Sequence, residues 1–271
     1  MRGSFPVRLA ATIYFIVMLC ALWIVAWLAQ VVVIISTYFF WTREERADCC
    51  GRIFRFSNYM AGDLLNPLWN TTILRPFPDV RGKKVIVMMN HASGADPFLM
   101  VRVLLPHDAS WVAKDDLFRV PFGGWAMANA DDLCVCFKDK KLGLETVKGS
   151  VGPMMEAARQ KVRRGRMLAV FPEGTRNNTP SKGLQPFRPG FFKLAMEEDA
   201  TIVPVAITGS ESCWPRHSPL IDAGHVFVSC GDPVDAASFQ TLDELREHVW
   251  NMLTDLCSKH PTEETKGLKG N

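Results

Sequence analysis

A histidine and an aspartate stand five residues apart in Asn90-His91-Ala92-Ser93-Gly94-Ala95-Asp96, across a turn of small side chains. Such a turn can fold the carboxylate onto one imidazole nitrogen, which fixes the tautomer of His91 and stabilises its charged form. The other ring nitrogen would then be free to take a proton from a hydroxyl group. We therefore predict that His91 and Asp96 form a catalytic pair. The alternative is an Asp96 that only caps a helix, beside an ordinary loop histidine.

A carboxylate, a glycine, a hydroxyl and a guanidinium follow closely on one another in Phe171-Pro172-Glu173-Gly174-Thr175-Arg176. The fork of Arg176 matches phosphate oxygens, and backbone N–H groups near Gly174 could add hydrogen-bond donors. Glu173 could orient Arg176 or bind a substrate hydroxyl. We interpret this segment as an anion-binding turn, and the alternative is a surface turn that holds a structural ion pair.

Each of these two segments follows a short apolar run, so the surrounding pattern decides where they lie. Strand-like runs alternate with helix-like runs, which predicts an α/β domain with a mostly parallel sheet flanked by helices. The predicted strands are 84–89, 110–113, 133–137, 167–171, 201–208 and 226–230, and the predicted helices are 98–105, 151–164, 190–197 and 242–257. Ligands of such sheets bind outside the carboxyl ends of the strands, and both segments stand at predicted strand ends.

The run from residue 9 to residue 42 carries no charged side chain. One continuous helix over this run would be about 50 Å long, against roughly 30 Å of bilayer hydrocarbon. We predict an N-terminal transmembrane or membrane-embedded helical segment. It could be one tilted span, one span with an interfacial extension, or two short helices that enter and leave on one side. The run is longer than the apolar region of a cleaved signal peptide, and a buried core helix is the remaining alternative.

These patterns divide the chain into a membrane anchor (1–42), a juxtamembrane amphipathic segment (43–70) and a catalytic domain (71–271). Within the second segment, residues 52–69 mix apolar and polar side chains, so they could lie in the headgroup layer or cover the domain's core. More arginines follow the apolar run than precede it, which favours a cytosolic main domain.

Composition narrows the function classes. The formal net charge of +3 is too small to indicate a nucleic-acid partner, and eight cysteines in 271 residues do not suggest a disulfide framework. Cys134 and Cys136 alternate in an apolar run, which predicts one buried face of a strand. No spacing indicates a metal site or a nucleotide-binding loop, so we expect neither a metal nor a cofactor. The absence of a Gly-x-Ser-x-Gly motif disfavours a lipase-like hydrolase.

An ordered series of blocks over residues 84–208 resembles the glycerolipid acyltransferase family, which includes 1-acylglycerol-3-phosphate (lysophosphatidic acid) acyltransferases. Residues 90–96 are similar to the family's Asn-His-x-Ser-x-x-Asp motif, and residues 171–176 match its Phe-Pro-Glu-Gly-Thr-Arg block letter for letter. The remaining similar blocks are Lys114-Asp115-Asp116-Leu117 with Pro121-Phe122-Gly123, Leu184-Gln185-Pro186-Phe187-Arg188-Pro189-Gly190, and Ile202-Val203-Pro204-Val205.

The resemblance implies that His91 is the base, Asp96 its orienting partner, and Arg176 the acceptor-phosphate ligand, supported by Glu173. Two departures from the family pattern stand out. The family's second motif usually ends in an arginine, whereas this chain reads Cys134-Val135-Cys136-Phe137-Lys138, so Lys138 would supply the charge, or else Lys140 or Lys141. The family also commonly has lysine just before the glycine that corresponds to Gly190, whereas this chain has Arg188-Pro189. That difference bears on acceptor preference.

The implied activity is direct acyl transfer from acyl-CoA to lysophosphatidic acid, giving phosphatidic acid in phospholipid biosynthesis. The alternatives are another acceptor, such as a different lysophospholipid or glycerol 3-phosphate, and a catalytically silent membrane protein that binds lipid. We expect the chain on a lipid bilayer, at the endoplasmic reticulum in a eukaryote, with the catalytic domain facing the cytosol.

Overall fold

The computed structural model describes residues 3–137, 147, 149–216 and 218–259 of the chain. Its helices are α1 (Phe5–Ser36), α2 (Arg43–Tyr59), α3 (Asp96–Leu104), α4 (Asp115–Phe118), α5 (Gly123–Asn129), α6 (Val151–Arg163), α7 (Gly190–Glu197), α8 (Ser210–Cys213) and α9 (Leu242–Ser258). Its strands are β1 (Trp69–Arg75), β2 (Val85–Met89), β3 (Ala109–Lys114), β4 (Leu133–Val135), β5 (Met167–Val170), β6 (Thr201–Thr208), β7 (Gly224–Cys230) and β8 (Val234–Asp235). A π-helical turn at Met60–Leu64 continues α2, and single 3₁₀ turns occur at Pro180–Lys182 and Ala236–Ser238.

The described strands form one sheet in the order β1-β7-β6-β2-β5-β3-β4, with β8 added beside β6. Parallel pairing joins β6, β2, β5, β3 and β4 in succession, whereas β7 and β8 run antiparallel to β6. The predicted fold class, an α/β domain with a mostly parallel sheet, is therefore confirmed. Because β2 lies between β5 and β6, the three strands present their carboxyl ends side by side.

The central strands are buried on both faces, as expected for parallel strands covered by helices on either side. One face packs under α1 and α3, where Phe15 and Leu99 are fully buried. The other face packs under α6, α7 and α9, where Phe192 and Leu245 are fully buried. Packing on both faces thus holds the ends of β2 and β5 in place, where they lead into segments 90–96 and 171–176.

The apolar N-terminal run forms a single helix, α1, of 32 residues. Among the described residues it is the helix long and apolar enough to cross a membrane, by length and composition. Of the three geometries left open, two short helices within this run is the one not found, because the run is helical without a break to Ser36 and no proline or glycine interrupts it after Pro6.

Helix α1 packs along the domain rather than projecting from it. Near its start, Arg8 forms an ion pair with Asp222 at 3.1 Å. Near its end, the Gln30 amide donates to the carbonyls of Cys50 at 2.9 Å and Ala126 at 3.1 Å. The apolar side chains on its other face are exposed, with Val25 at 64% and Ile35 at 71% exposure. The helix therefore has one face on the protein and one apolar face available to lipid.

Helix α2 begins with a capping box between Thr42 and Glu45. Phe54 is buried in the core, and the buried Arg55 forms an ion pair with Asp132. Of the two alternatives for residues 52–69, packing over the core is the one found for most of the segment. Leu64, in the π-helical turn after α2, remains 59% exposed.

The prediction that Cys134 and Cys136 share a buried face is wrong. Cys134 is exposed and Cys136 half-buried, because Leu133 and Val135 of β4 point into the core instead. In an alternating strand the larger aliphatic side chains gain more from burial than a thiol, and they set the register. All eight cysteines are free thiols.

Candidate active site

The two chemical segments meet at the carboxyl edge of the sheet. The segment 90–96 leaves β2, and the segment 171–176 leaves the adjacent parallel strand β5. Two backbone contacts join them: the His91 N–H donates to Glu173 Oε1 at 2.8 Å, and the Asn177 N–H donates to the His91 carbonyl at 2.6 Å. The site therefore depends on the pairing of two strands that are far apart in sequence.

His91 and Asp96 are in direct contact. Nδ1 of His91 lies 2.8 Å from Oδ2 of Asp96, and the same oxygen accepts the N–H groups of Ala92 and Ser93 at 2.8 Å each. Asp96 is fully buried, whereas the His91 side chain is 17% exposed. The carboxylate thus fixes the ring from one side, and Nε2 is the nitrogen left for a substrate.

The capping alternative for Asp96 is wrong. Helix α3 begins at Asp96 itself, preceded by Ala95, and no side chain caps it. The carboxylate is turned back toward the preceding loop because that loop offers it two N–H groups and an imidazole. Its second oxygen, Oδ1, is buried with no hydrogen-bond partner among the described residues. The structure therefore directs this carboxylate to His91 rather than to the helix.

Two neighbours restrain His91 further. The Asn90 side chain donates to the Ile207 carbonyl at 2.8 Å and accepts the Ile207 N–H at 2.7 Å, which fastens the end of β2 to β6. The Phe171 ring stacks on the imidazole with centroids 4.0 Å apart and planes 15° apart. Both ring tilt and backbone position are therefore set before a substrate arrives.

Glu173 holds backbone segments in place and is not paired with Arg176. Its carboxylate accepts the N–H of His91 and, at 2.9 Å, the N–H of Gln185, and it is 3% exposed. Burial raises the pKa of this carboxyl to about 7, although the two backbone hydrogen bonds oppose that shift. Of the two predicted roles, orienting Arg176 has no ion pair in its favour among the described residues, and binding a substrate hydroxyl stays a prediction. The residue instead positions the turn that carries His91.

Gly174 is required by shape rather than as a donor. Its φ of +71° lies in the left-handed region, and an added Cβ would overlap the Arg188 side chain. Its N–H bonds the Phe171 carbonyl at 2.9 Å, so the expected anion donor at this residue is already used. Thr175, the next residue, is buried in the same turn.

Three cations gather around this turn. Arg176 is half-buried, and burial followed by the positive charge of Arg216 lowers the pKa of its guanidinium. Burial followed by the charges of Arg176 and Arg216 likewise lowers the pKa of Lys114, which ends β3 at the same edge of the sheet. Arg216 donates to the Arg176 carbonyl. Such a group of like charges favours binding of an anion.

Sequence reasoning identified Arg176 but assigned no role to Arg216 or Lys114, and it considered Arg188 only for acceptor preference. Lys114 lies over the Phe137 ring at 5.1 Å, and the Arg188 guanidinium carbon lies 6.0 Å from the same ring. Lys138, predicted to bind substrate, lies outside the described residues, as do its alternatives Lys140 and Lys141. The lysine that ends a predicted strand was the available signal for Lys114; for Arg216 there was none.

A polar cleft of about 420 Å³ lies at the opposite edge of the sheet. It is lined by Val85, Asp108 and Met167, which mark the amino ends of β2, β3 and β5. Several of its charges pair with one another, as in Arg166–Asp108 at 2.8 Å and Arg164–Glu44 at 2.7 Å. We assign no chemistry to it, because the acid–base pair and the cations lie at the carboxyl edge.

Comparison with known proteins gives a consistent picture. The acyltransferase family model matches residues 70–208. A 1-acyl-sn-glycerol-3-phosphate acyltransferase of Cocos nucifera is 28% identical over 185 residues, covering 68% of this chain and 56% of that protein. One of Saccharomyces cerevisiae is 29% identical over 175 residues, covering 64% and 55%. The matched part thus spans about half the length of these curated relatives.

Among solved structures, the crystal structure of the 1-acyl-sn-glycerophosphate (LPA) acyltransferase PlsC from Thermotoga maritima is similar over 97% of both chains. The TM-score is 0.71 and the sequence identity is 20%. At that identity the likeness establishes the fold alone.

Proposed function

The chain belongs to the acyltransferase family, and from that premise we propose that it acylates the free hydroxyl of 1-acyl-sn-glycerol 3-phosphate from acyl-CoA, giving phosphatidic acid. The observation that carries the proposal is the 2.8 Å contact between His91 Nδ1 and Asp96 Oδ2, beside a group of cations. The names of the curated relatives support the acceptor.

The proposed reaction needs no acyl-enzyme. His91 Nε2 takes the proton of the acceptor hydroxyl as its oxygen attacks the thioester carbonyl. The tetrahedral intermediate then expels the thiolate, which takes that proton from the imidazolium, so an ester and a free thiol result. Asp96 stabilises the imidazolium during both steps. Ser93 is unsuited as a nucleophile, because its hydroxyl donates to the Trp214 carbonyl at 3.0 Å and is buried.

The group of cations supports a phosphate-bearing acceptor. Arg176, Lys114 and Arg216 would hold the phosphate at the carboxyl edge of the sheet, and the glycerol hydroxyl would extend toward His91. Thr175 and Gly174 shape the turn between them. A lysophospholipid with a larger headgroup, or glycerol 3-phosphate, is the alternative within the same reaction class.

We also propose that the protein works at a bilayer, at the endoplasmic reticulum in a eukaryote, with the domain on the cytosolic side. The exposed apolar face of α1 supports membrane association, and acyl-CoA is a cytosolic substrate. A bilayer would supply a lipid acceptor directly to an active site next to α1, where Phe15 packs against Trp214 at 5.8 Å.

The test is release of free thiol by the purified full chain, with acyl-CoA as donor and a panel of acceptors. Lysophosphatidic acid should give acceptor-dependent thiol release and phosphatidic acid by mass spectrometry. Acyl groups on acyl carrier protein form a second donor arm. A preference for glycerol 3-phosphate or another lysophospholipid would change the acceptor. No transfer with any pair would favour the silent lipid-binding protein, although a silent protein would have no need of the His91–Asp96 contact.

A further inference from the structure

The segment after β6 contributes to the site, although it lies outside every sequence block that resembles the family. The Trp214 carbonyl accepts the Gly94 N–H at 3.3 Å and the Ser93 hydroxyl at 3.0 Å. A Cβ on Gly94 would lie 3.0 Å from the Trp214 ring, so the two segments are in close contact. Segment 90–96, which carries His91 and Asp96, therefore fixes the position of the residues that follow Trp214.

Arg216, two residues further on, reaches the anion-binding turn. One of its terminal nitrogens donates to the Arg176 carbonyl, and the side chain is half-buried. The segment is also held from the other side, because Arg8 of α1 donates to the Ser218 hydroxyl at 3.2 Å. Contacts on both sides of the segment therefore hold the Arg216 side chain in place, unlike a mobile side chain on the surface.

The positive charge of Arg216 has no acidic partner within the described residues. In the part of the chain that the structure describes, no carboxylate forms an ion pair with Arg176 or with Arg216. The Arg216 side chain contacts the Arg176 backbone, its positive charge lowers the pKa of the Arg176 guanidinium, and Lys114 adds a third positive charge. An arrangement of this kind is stable when an anion of high charge occupies it.

We propose that Arg216 determines the specificity of the acceptor site for phosphate monoesters over phosphate diesters. The inference rests on the proposed function and assigns to it a residue outside the sequence motifs. Arg176 and Lys114 can each contact one terminal oxygen of either ligand, and Arg216 adds a contact that only the monoester can use in full.

The chemical reason lies in the ligand. A phosphate monoester carries about −1.5 to −2 charges at pH 7 and has three terminal oxygens. A diester carries a single charge and has two, because the headgroup occupies the third. A third cation therefore gains a strong hydrogen bond with the monoester, whereas with the diester it meets an ester oxygen and the bulk of the headgroup.

Two substitutions at Arg216 separate the effect of its charge from that of its hydrogen bond to the Arg176 carbonyl. Arg216→Gln keeps a donor for the Arg176 carbonyl but removes the charge, and Arg216→Lys keeps the charge but loses the fork. Arg246→Gln is the matched control, since Arg246 lies on α9 and pairs with Asp243 at 2.9 Å. If the role were purely structural, glutamine would keep the preference as well as lysine does, because both side chains can donate to the Arg176 carbonyl.

The experiment measures binding of hexadecyl phosphate and of its methyl ester to the full chain in micelles of an uncharged detergent. The wild type and Arg246→Gln should prefer the monoester by about tenfold or more. Arg216→Gln should weaken monoester binding about tenfold and diester binding less than threefold, and Arg216→Lys should retain most of the preference. Neither probe has a hydroxyl to acylate. Failure of the wild type to acylate lysophosphatidic acid would therefore refute the proposed function without deciding this result.

A second measurement needs no variant. The wild type should bind hexadecyl phosphate more tightly, relative to its methyl ester, as the pH rises through about 6, where the monoester loses its second proton. The methyl ester also reports the effect of Glu173, whose carboxyl has a raised pKa of about 7 and accepts the His91 N–H beside the site. The proposal is overturned by an unchanged monoester preference in Arg216→Gln, by a preference that Arg216→Lys loses as fully as Arg216→Gln does, or by a wild type that does not distinguish the two probes.

Discussion

One oxygen of Asp96 holds the entire turn that carries His91. It lies 2.8 Å from His91 Nδ1 and accepts the two backbone N–H groups that follow His91 in the chain. The ring and its loop are therefore oriented by the same atom, and the two functions of the carboxylate can be separated by substitution.

The first prediction concerns this pair. His91→Ala should lower turnover by about 10²–10⁴-fold, the usual contribution of a general base, without loss of membrane association or thermal stability. Asp96→Asn keeps an oxygen for the hydrogen bonds but removes the charge that stabilises an imidazolium, so turnover should fall by about 10²-fold or more. Steady-state kinetics at saturating substrates measures both. Near-normal turnover in His91→Ala would refute the base assignment.

The second prediction concerns the acceptor phosphate. Arg176→Lys should raise the apparent KM for lysophosphatidic acid about tenfold and that for acyl-CoA much less, because a point charge replaces a fork. Arg246→Lys on α9 is the control and should leave both constants unchanged. Equal effects of Arg176→Lys on the two substrates would move this side chain away from the acceptor.

The third prediction follows from the raised pKa of Glu173. Its pKa is about 7 in the folded protein, against 4.5 for an ordinary glutamate. A carboxyl with a raised folded-state pKa contributes stability that is fully present below pH 4.5 and is lost as the pH rises to about 7. The loss is at most about 3 kcal/mol.

The corresponding measurement compares Glu173→Gln with the wild type. The difference between their unfolding free energies, taken from pH 4 to pH 8 in the same detergent, should change between about pH 4.5 and 7 and be flat above. Contributions of groups that do not interact with Glu173 cancel in that difference. Parallel curves would show that Glu173 does not titrate in this range. Turnover of Glu173→Gln should also fall, because one of the two backbone N–H groups then faces an amide donor.

The elements that could be predicted best from the sequence are those whose residue pattern is set by burial alone. The strands β2, β5 and β6 are uninterrupted apolar runs, and each could be predicted within a residue or two because burial on both faces leaves no polar alternation. The contact of His91 with Asp96 was also predictable, because both residues lie in one short turn.

Elements that depend on distant partners could not be predicted. The edge strand β1 includes Asn70 and Thr72, so it lacks the apolar run of a central strand. Helix α5 opens with Gly123-Gly124, a pair that indicates a turn, yet a Cβ on Gly123 would overlap Trp23 of α1 and one on Gly124 would overlap the backbone of Phe118. Arg216 was missed for the same reason, since only the folded chain brings it to Arg176.

The fourth prediction places the domain in the cytosol of a eukaryotic host. Asn70, followed by Thr71 and Thr72, fits the glycosylation pattern and is exposed on β1, yet we expect it to carry no glycan. A mass shift at Asn70 on glycosidase treatment would put the domain in the lumen. The similar site at Asn177 cannot report topology, because its amide nitrogen donates to the Gly183 carbonyl at 2.7 Å and the residue is buried.

The last prediction concerns α1, whose two ends both contact the globular domain through Arg8–Asp222 and Gln30–Ala126. At about 1.5 Å per residue its 32 residues span about 48 Å. If α1 crossed the bilayer, one of these two contacts would have to break, so we expect it to lie with its exposed apolar face in one leaflet. Protease-cleavable tags at the two chain ends should then be cut, or protected, together in sealed vesicles. Cleavage of one tag with protection of the other would mean that α1 spans the membrane. Deletion of residues 1–42 is a poor substitute for this test, because it would remove the fully buried Phe15 and unfold part of the core.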